Sequence, residues 1–433
     1  MQRSLFIPVW IRTGRGMIMR KRFLLIALIC ALLCTGCAFA EQVRWYECGD
    51  YRYILREDGT AKITWYNNGN AEELVIPAEL DGKRVTGIGD NAFSNCHSFI
   101  SITIPDSVVE IGKNPFPNCG YLKNIRVSPD SSALAVIDGV LFSKQDKRLV
   151  CYPNGLERNT YKTPNGIKII GDSAFGSCEN LVDITIPDSV TKIDNSAFGY
   201  CMGLTGVMLP EGITEIGDFA FYGCENLSSI TLPDSVTEIG MNPIFRCDNL
   251  TDIRISPDSP AFAIADDVLF FKRDEKLVCR LPAFEKASYE IPMGVRTVGD
   301  GAFMGASSLI SITIPDSVTE IGRDAFAGCV NLTSVAIPGS VTKIGYWAFL
   351  RCESLTSVTI SDGLIEIDAE AFIGCDRLTS ITIPDSVTQI GDHVFDIGAG
   401  FTLIVGHDSY AAQYAEENGV NYMYPDSLDW LND

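Results

Sequence analysis

The pair Ala-Phe returns in this chain at intervals of 23 residues, at Ala174-Phe175, Ala197-Phe198 and Ala220-Phe221. Three residues after each Phe comes a cysteine: Cys178, Cys201 and Cys224. The same register gives Phe93/Cys96, Phe116/Cys119, Phe326/Cys329, Phe349/Cys352 and Phe372/Cys375. With the substituted forms Ile244/Cys247, Phe303/Ala306 and Phe395/Gly398, eleven units match. Self-similarity at a fixed period of this length is the signature of a repeat solenoid. One unit cannot bury its own apolar face, so the units must stack.

The fullest unit shows how a coil is built. In Leu378-Thr-Ser-Ile-Thr-Ile-Pro-Asp-Ser-Val-Thr-Gln-Ile-Gly391 the alternation predicts a strand with Ile381 and Ile383 inward and Thr382 outward. Pro384 ends it, because proline has no N–H to give to a ladder. Val387 and Ile390 return to the core from the opposite wall, and Gly391 is expected to permit a bend. Thirteen such strands can be read, from Val75 to Ile383. Stacked in parallel, they lie about 4.8 Å apart.

Two intervals are longer. Val127 to Thr163 and Ile255 to Ile291 each span 36 residues, one coil plus 13. The added segments resemble each other, as in Asp138-Gly-Val-Leu-Phe-Ser143 and Asp267-Val-Leu-Phe-Phe-Lys272. Cys119 and Cys247 are 128 residues apart, as are Cys151 and Cys279, so a block of coils is duplicated. Apolar runs on either side of Lys144-Gln-Asp-Lys147 and Lys272-Arg-Asp-Glu275 predict β-hairpins protruding from the stack, at about 137–154 and 265–282.

Twelve cysteines follow residue 40, nine of them at the repeat position. They read as a row of buried thiols filling space. Ala306 and Gly398 at the same position suit packing and do not suit ligation. No C-x-x-C spacing is present, so zinc is not indicated and no cofactor is expected. Disulfides between adjacent coils stay open as an alternative.

The first 40 residues read as a targeting segment. Met19-Arg-Lys-Arg22 is basic, Phe23 to Leu33 is apolar but too short to span a bilayer, and Ala38-Phe-Ala40 matches a cleavage site. Cleavage after Ala40 is the favoured reading, with a lipid anchor at Cys37 as the alternative. No later run is apolar enough over the length of a transmembrane span. Six of the 34 cations lie in this segment, so the remainder holds 28 cations against 55 acids, a formal −27. Such a surface repels phosphate backbones and excludes nucleic acid as a natural partner. Residues 41–72 read as an N-terminal β cap, with a hairpin at Asp58-Gly59, and 73–406 as the repeats. Residues 407–433 read as a helical cap and tail, Ser409 starting the helix and Gly419 ending it.

The junction Ile-Pro-Asp-Ser-Val and the close Ala-Phe-x-x-Cys resemble the BspA-like, or Treponema-type, leucine-rich repeat. The resemblance covers about 73–406. It implies a curved leucine-rich-repeat stack with a parallel sheet, exported to the cell surface or secreted, and used in adhesion or host-protein binding. It brings no catalytic residues with it.

The residues themselves agree on chemistry. The three histidines, His97, His393 and His407, do not pair at metal spacing, and no phosphate loop, nucleophile elbow or H-E-x-x-H occurs. The acids recur after Pro, as at Asp188 and Asp385, where turn chemistry explains them. The chain is therefore expected to bind rather than catalyse, its partners being proteins or glycans outside the cell. Its oligomeric state is left open. Most outward strand positions are Thr; Arg126, Met208 and Arg254 depart from that pattern and are candidate binding residues. Tyr200, Tyr222, Tyr346 and Trp347, near the Ala-Phe turn, are candidates for an exposed aromatic stripe, with partial burial as the alternative. A structural envelope component, and an enzyme subunit directed at glycans, are the competing readings.

Overall fold

The computed structural model describes residues 44–67, 70–395 and 400–425. The targeting segment, with Ala40 and Cys37, lies outside the described residues, as do Gly398 and the tail from 426.

The repeats form a stack of about 16 coils. Each coil contributes a strand to one wall, such as Asp183–Thr185, Gly206–Met208, Ser229–Thr231 and Ser380–Ile383. The registers are parallel, with Gly206 beside Ser229, Val207 beside Ile230, and Met208 beside Thr231. Thr402–Val405 and Tyr422–Met423 carry this wall past Ile383, the last strand legible in the sequence. The return wall is also a parallel ladder. Two-residue strands such as Ile169–Ile170, Lys192–Ile193, Glu215–Ile216 and Glu238–Ile239 pair in succession. The second residue of each, an isoleucine, faces the core, and the first residue, charged in all but Ile169–Ile170, faces out. Lys192 Nζ lies 2.6 Å from Glu215, and Lys343 Nζ lies 3.1 Å from both Glu366 and Asp368.

A third row closes the coil at the Ala-Phe turn. Phe198 N–H donates to Ala220 O at 2.8 Å, and Phe326 N–H to Ala348 O at 2.7 Å. The rings stack through the core: Phe175, Phe198 and Phe221 are 5.1 Å apart centroid to centroid and nearly parallel. The cysteines do more than fill space. Seven of the repeat thiols donate to the carbonyl of the preceding coil's Phe, as Cys201 to Phe175 at 3.0 Å, Cys224 to Phe198 at 3.1 Å and Cys247 to Phe221 at 3.0 Å. The twelve described cysteines are all free thiols.

The two inserted hairpins do not protrude. Val140–Ser143 and Arg148–Cys151 are buried along almost their whole length, and so are Val268, Leu269, Phe271 and Leu277 to Cys279; the tips 144–147 and 272–275 and the turns at 137–138 and 265–266 are exposed. The last hairpin strand joins the return wall in parallel, Arg148 beside Ile169 and Lys276 beside Thr297. Each hairpin therefore serves as a partition. Leu141, Val150 and Cys151 pack into the core before it, while Val140, Phe142 and Leu149 pack into the core after it. The interior is divided into three apolar cores at the two insertions. An apolar hairpin with two buried faces has this reason to fold back, since exposing either face would forfeit its burial.

Gly391 was expected to permit a bend, but its φ is not in the left-handed region. Its role is close approach, since a Cβ there would lie 2.3 Å from the backbone nitrogen of Ala369 in the preceding coil. Gly217 and Gly240 repeat the arrangement under Asn195 and Asp218. Those side chains reach across to the next coil and accept from the N–H of Asp218 and Met241, at 2.8 and 2.7 Å.

At the front, Trp45–Cys48, Tyr51–Leu55 and Ala61–Tyr66 form an antiparallel meander that continues in parallel into Lys83–Ile88. Arg56 and Lys62 hold Glu110 on the second coil, Lys62 Nζ at 2.6 Å. The hydrogen bond from Lys62, and then the charges of Lys62 and Arg56, hold the Glu110 carboxyl below the usual carboxylate range. A depressed native value stabilises the fold above the unfolded pKa, about 4.3, and that stability is lost as pH falls through the native value. We expect Glu110→Gln to be less stable than the parent at pH 7, with the difference closing below about pH 4. Paired urea titrations across pH 3–7 measure it; a gap independent of pH refutes the linkage. At the back, the helix Tyr410–Asn418 is capped as read, Ser409 Oγ accepting from Ala412 N–H at 3.1 Å and Gly419 at φ 67°.

Candidate functional site

Two walls carry the candidate residues. On the strand wall the register fixes one outward row. Val75, Thr103 and Arg126 are neighbours in it, as are Lys162 and Thr185, then Met208, Thr231 and Arg254, then Glu290 and Thr313. Lys162 and Glu290 were missed in the sequence because they stand in the two coils with insertions. The 36-residue offset would have found them.

Met208 and Arg254 come together. They are separated by one strand, a distance of about 10 Å from strand spacing, and both line a depression of about 620 Å³. Gly206 opens its floor, since an outward side chain is missing there beside Ser229. Met208 is 73% exposed, an unusual state for so apolar a side chain. Asp183, Asp188 and Glu211 form the acidic rim, and Arg254 pairs with Asp252. The depression thus presents one apolar knob, one cation and several carboxylates, with strand hydroxyls from Thr185, Thr205 and Thr231. Arg126 is exposed but does not line it.

The turn wall holds the aromatic candidates, and they divide. Tyr200 and Tyr222 meet edge to face at 4.7 Å, and Tyr200 Oη donates to Tyr222 Oη at 2.8 Å. Both line a second cavity of about 280 Å³ with Asn114, Asn118, Ser177 and Ser196. Tyr200 has φ 58°, a conformation costly for a bulky residue, and its ring lies over Gly223, where a Cβ would be 2.9 Å away. Trp347 is not part of that group. It belongs to a turn farther along the stack, where its Nε1–H donates to Glu370 at 2.9 Å and Arg323 lies 5.7 Å from its ring centroid. The aromatic residues therefore do not form one stripe. A pair of tyrosines and a separate Trp347 cluster take its place, because intervening turns carry Gly305 and Gly328.

Among the described residues, no group of three or more His, Cys, Asp or Glu side chains is placed to hold a metal ion, and no helix is long and apolar enough to cross a membrane. Burial pushes the thiols of Cys151, Cys279 and Cys329 up to about 12, so they are protonated and unreactive at neutral pH.

Residues 61–158, 150–263 and 283–398 match the BspA type leucine rich repeat region, in six copies. Among solved structures, a leucine-rich cell surface protein from Faecalibacterium prausnitzii is 30% identical, with 87% of this chain and 97% of that one covered and a TM-score of 0.49. The pneumococcal vaccine antigen PcpA is 21% identical over 88% of this chain and 98% of its own, with a TM-score of 0.45. A leucine-rich repeat protein of T. pallidum is 22% identical over 67% of this chain and 91% of its own, with a TM-score of 0.23. No curated protein matches the chain.

Proposed function

Since the chain belongs to the BspA-type leucine-rich repeat family, we propose that it is an exported, non-catalytic binding protein that recognises proteins or glycans at the cell surface or in its surroundings. The observation that carries this reading is the depression on the strand wall, where Met208 and Arg254 stand over a floor opened by Gly206. Exposed apolar groups ringed by polar ones mark recognition surfaces. A methionine adapts its shape to a partner, and an arginine supplies directed donors. The depression spans several coils, and a rigid stack presents these groups on a backbone that needs no ordering on binding. The leader read at residues 1–40 and the cell-surface description of the F. prausnitzii relative support the location.

The test is a binding screen of the exported chain, from Glu41, against matrix proteins, glycans and neighbouring cells. A ligand captured by the parent is expected to be lost about tenfold or more with Met208→Glu combined with Arg254→Glu, since desolvated anchors carry over 1 kcal/mol each. Ala336→Glu, at an equivalent outward position elsewhere in the row, is expected to leave capture unchanged. Equal loss from both variants would refute the assignment to this depression, and failure to capture anything would favour an envelope scaffold.

A further inference from the structure

The duplicated block supplies its own control. At both insertions one coil has no Ala-Phe turn, and the gap between the flanking turns is bridged by an asparagine: Asn114 Nδ2 donates to Ser173 O and Asn242 Nδ2 to Gly301 O, both at 3.0 Å. Under the bridge sits the residue after the hairpin cysteine. Its N–H donates to the next turn's Ala in both copies, Tyr152 to Ala174 and Arg280 to Ala302, each at 2.7 Å. These two hydrogen bonds are thus kept in both places, while the side chains differ.

In the first copy the gap is neutral. Tyr152 turns its ring into the core against Phe175 and Tyr161, and the space outside it, lined by Asn114, Asn118 and Ser173, opens into the uncharged cavity that Tyr200 and Tyr222 also line. In the second copy the residues 128 positions on from Tyr152, Asn118, Gly120 and Asn154 are Arg280, Arg246, Asp248 and Pro282. These four, with Asn242, Ile244 and Phe245, line a cavity of about 100 Å³. Arg280 is half-buried there. Its Nε and Nη2 donate to the carbonyls of Met304 and Gly305, at 3.2 Å each, which orients the guanidinium without neutralising it. Among the described residues neither Arg280 nor Arg246 has a carboxylate within salt-bridge distance. Burial works against the Arg280 charge. Two cations and one exposed acid give the cavity a net positive charge, although the chain after residue 40 is formally −27 from 28 cations and 55 acids. Asp248 offsets only one of the two cations, and a half-buried guanidinium whose charge is not fully balanced is stabilised by a bound anion.

The anion's chemistry follows from the walls. Arginine forks match a planar carboxylate through paired donors. The cavity admits such a group but no large body, so the rest of the ligand must lie outside it, beside Phe245. That ring stacks on Tyr222 at 5.6 Å and 10°, and lies 6.3 Å from Phe219, forming an aromatic shelf next to the cations. We propose that this cavity is a binding site for an acidic saccharide, its carboxylate held between Arg280 and Arg246 and its ring lying against Phe245. The site is separate from the strand-wall depression, and Met208 does not line it.

The probe is glucuronate, titrated calorimetrically into the full chain, with glucose, glucuronate methyl ester and acetate beside it. Glucuronate is expected to bind, and glucose and the ester to bind at least about tenfold more weakly, because each lacks the charge-assisted hydrogen bonds. Arg280→Met keeps the aliphatic stem. Arg246→Asn places at an exposed left-handed position the residue found at Asn118 in the first copy. Each is expected to weaken glucuronate about tenfold, with an unchanged thermal midpoint for Arg246→Asn, while Met208→Glu leaves it unaltered. Glucuronate binding no better than glucose, or equally well to both arginine variants, overturns the proposal. Acetate binding as tightly as glucuronate overturns the saccharide assignment in favour of small free carboxylates.

Discussion

Phe198→Ala is expected to cost about 3–5 kcal/mol and to split a single unfolding transition into two. The ring is fully buried and stacked on both sides, on Phe175 at 6° and Phe221 at 1°. Its removal takes away the transfer free energy of a large side chain and opens a cavity that neighbours fixed by two ladders cannot collapse into. The change also weakens the contact between successive coils. In a stack each coil touches only its neighbours, so one weak interface decouples the segments on either side. Urea unfolding followed by near-ultraviolet and far-ultraviolet signals together reads both effects. Phe198→Leu is expected to recover roughly half the loss. A cost under about 1 kcal/mol, with one transition kept, would mean that the aromatic row does not couple the coils.

Gly217→Ala is the second. A single methyl is expected to cost about 3 kcal/mol, at the upper end for overpacking. A Cβ at that position would lie 2.5 Å from Asn195 Oδ1, 2.6 Å from Asn195 N and 2.7 Å from Asp194 C. The side-chain contact can be relieved by rotation, but the two backbone contacts cannot, because the same backbone is held by the hydrogen bond from Gly217 N–H to Ile193 O at 2.8 Å. The coils must part, or that bond must break. Asn195→Ala combined with Gly217→Ala separates the terms: the double variant is expected to recover little, since the backbone clash persists. Thermal unfolding measures both. Full recovery in the double variant would place the cost in the side chain and sink the close-approach account.

What was legible in the sequence is what one coil does by itself. The alternation around Ile381 and Ile383 states which residues face the core, because successive side chains of a strand point to opposite sides. The Phe and Cys positions recur because identical coils present identical interiors. Ser409 and Gly419 mark the helix ends because capping is local. On the sites, Met208 and Arg254 stand out in the sequence as departures from the Thr row, and the register puts them in one depression.

What was not legible is what coils do to each other. Gly217 has an ordinary φ, so nothing in its own turn explains it; the explanation lies in Asn195, 22 residues earlier. The hairpins were read as protrusions because a local pattern of apolar runs and a charged tip is the same whether the strands stand out or fold in. Only the presence of an apolar core on both sides decides it. Trp347 and Tyr200 share a chemistry but not a place, since the turns carrying Gly305 and Gly328 stand between the two groups. Arg280 drew no notice as one arginine among many. It becomes singular only where the missing turn of its coil leaves it half-buried beside Arg246. The sequence by itself determined the interior of each coil, because that is governed by side-chain direction along a short run of backbone. Tertiary structure decided the contacts between coils and the cavities at their irregular junctions, because those join residues 22 to 59 positions apart whose proximity depends on how the whole stack closes.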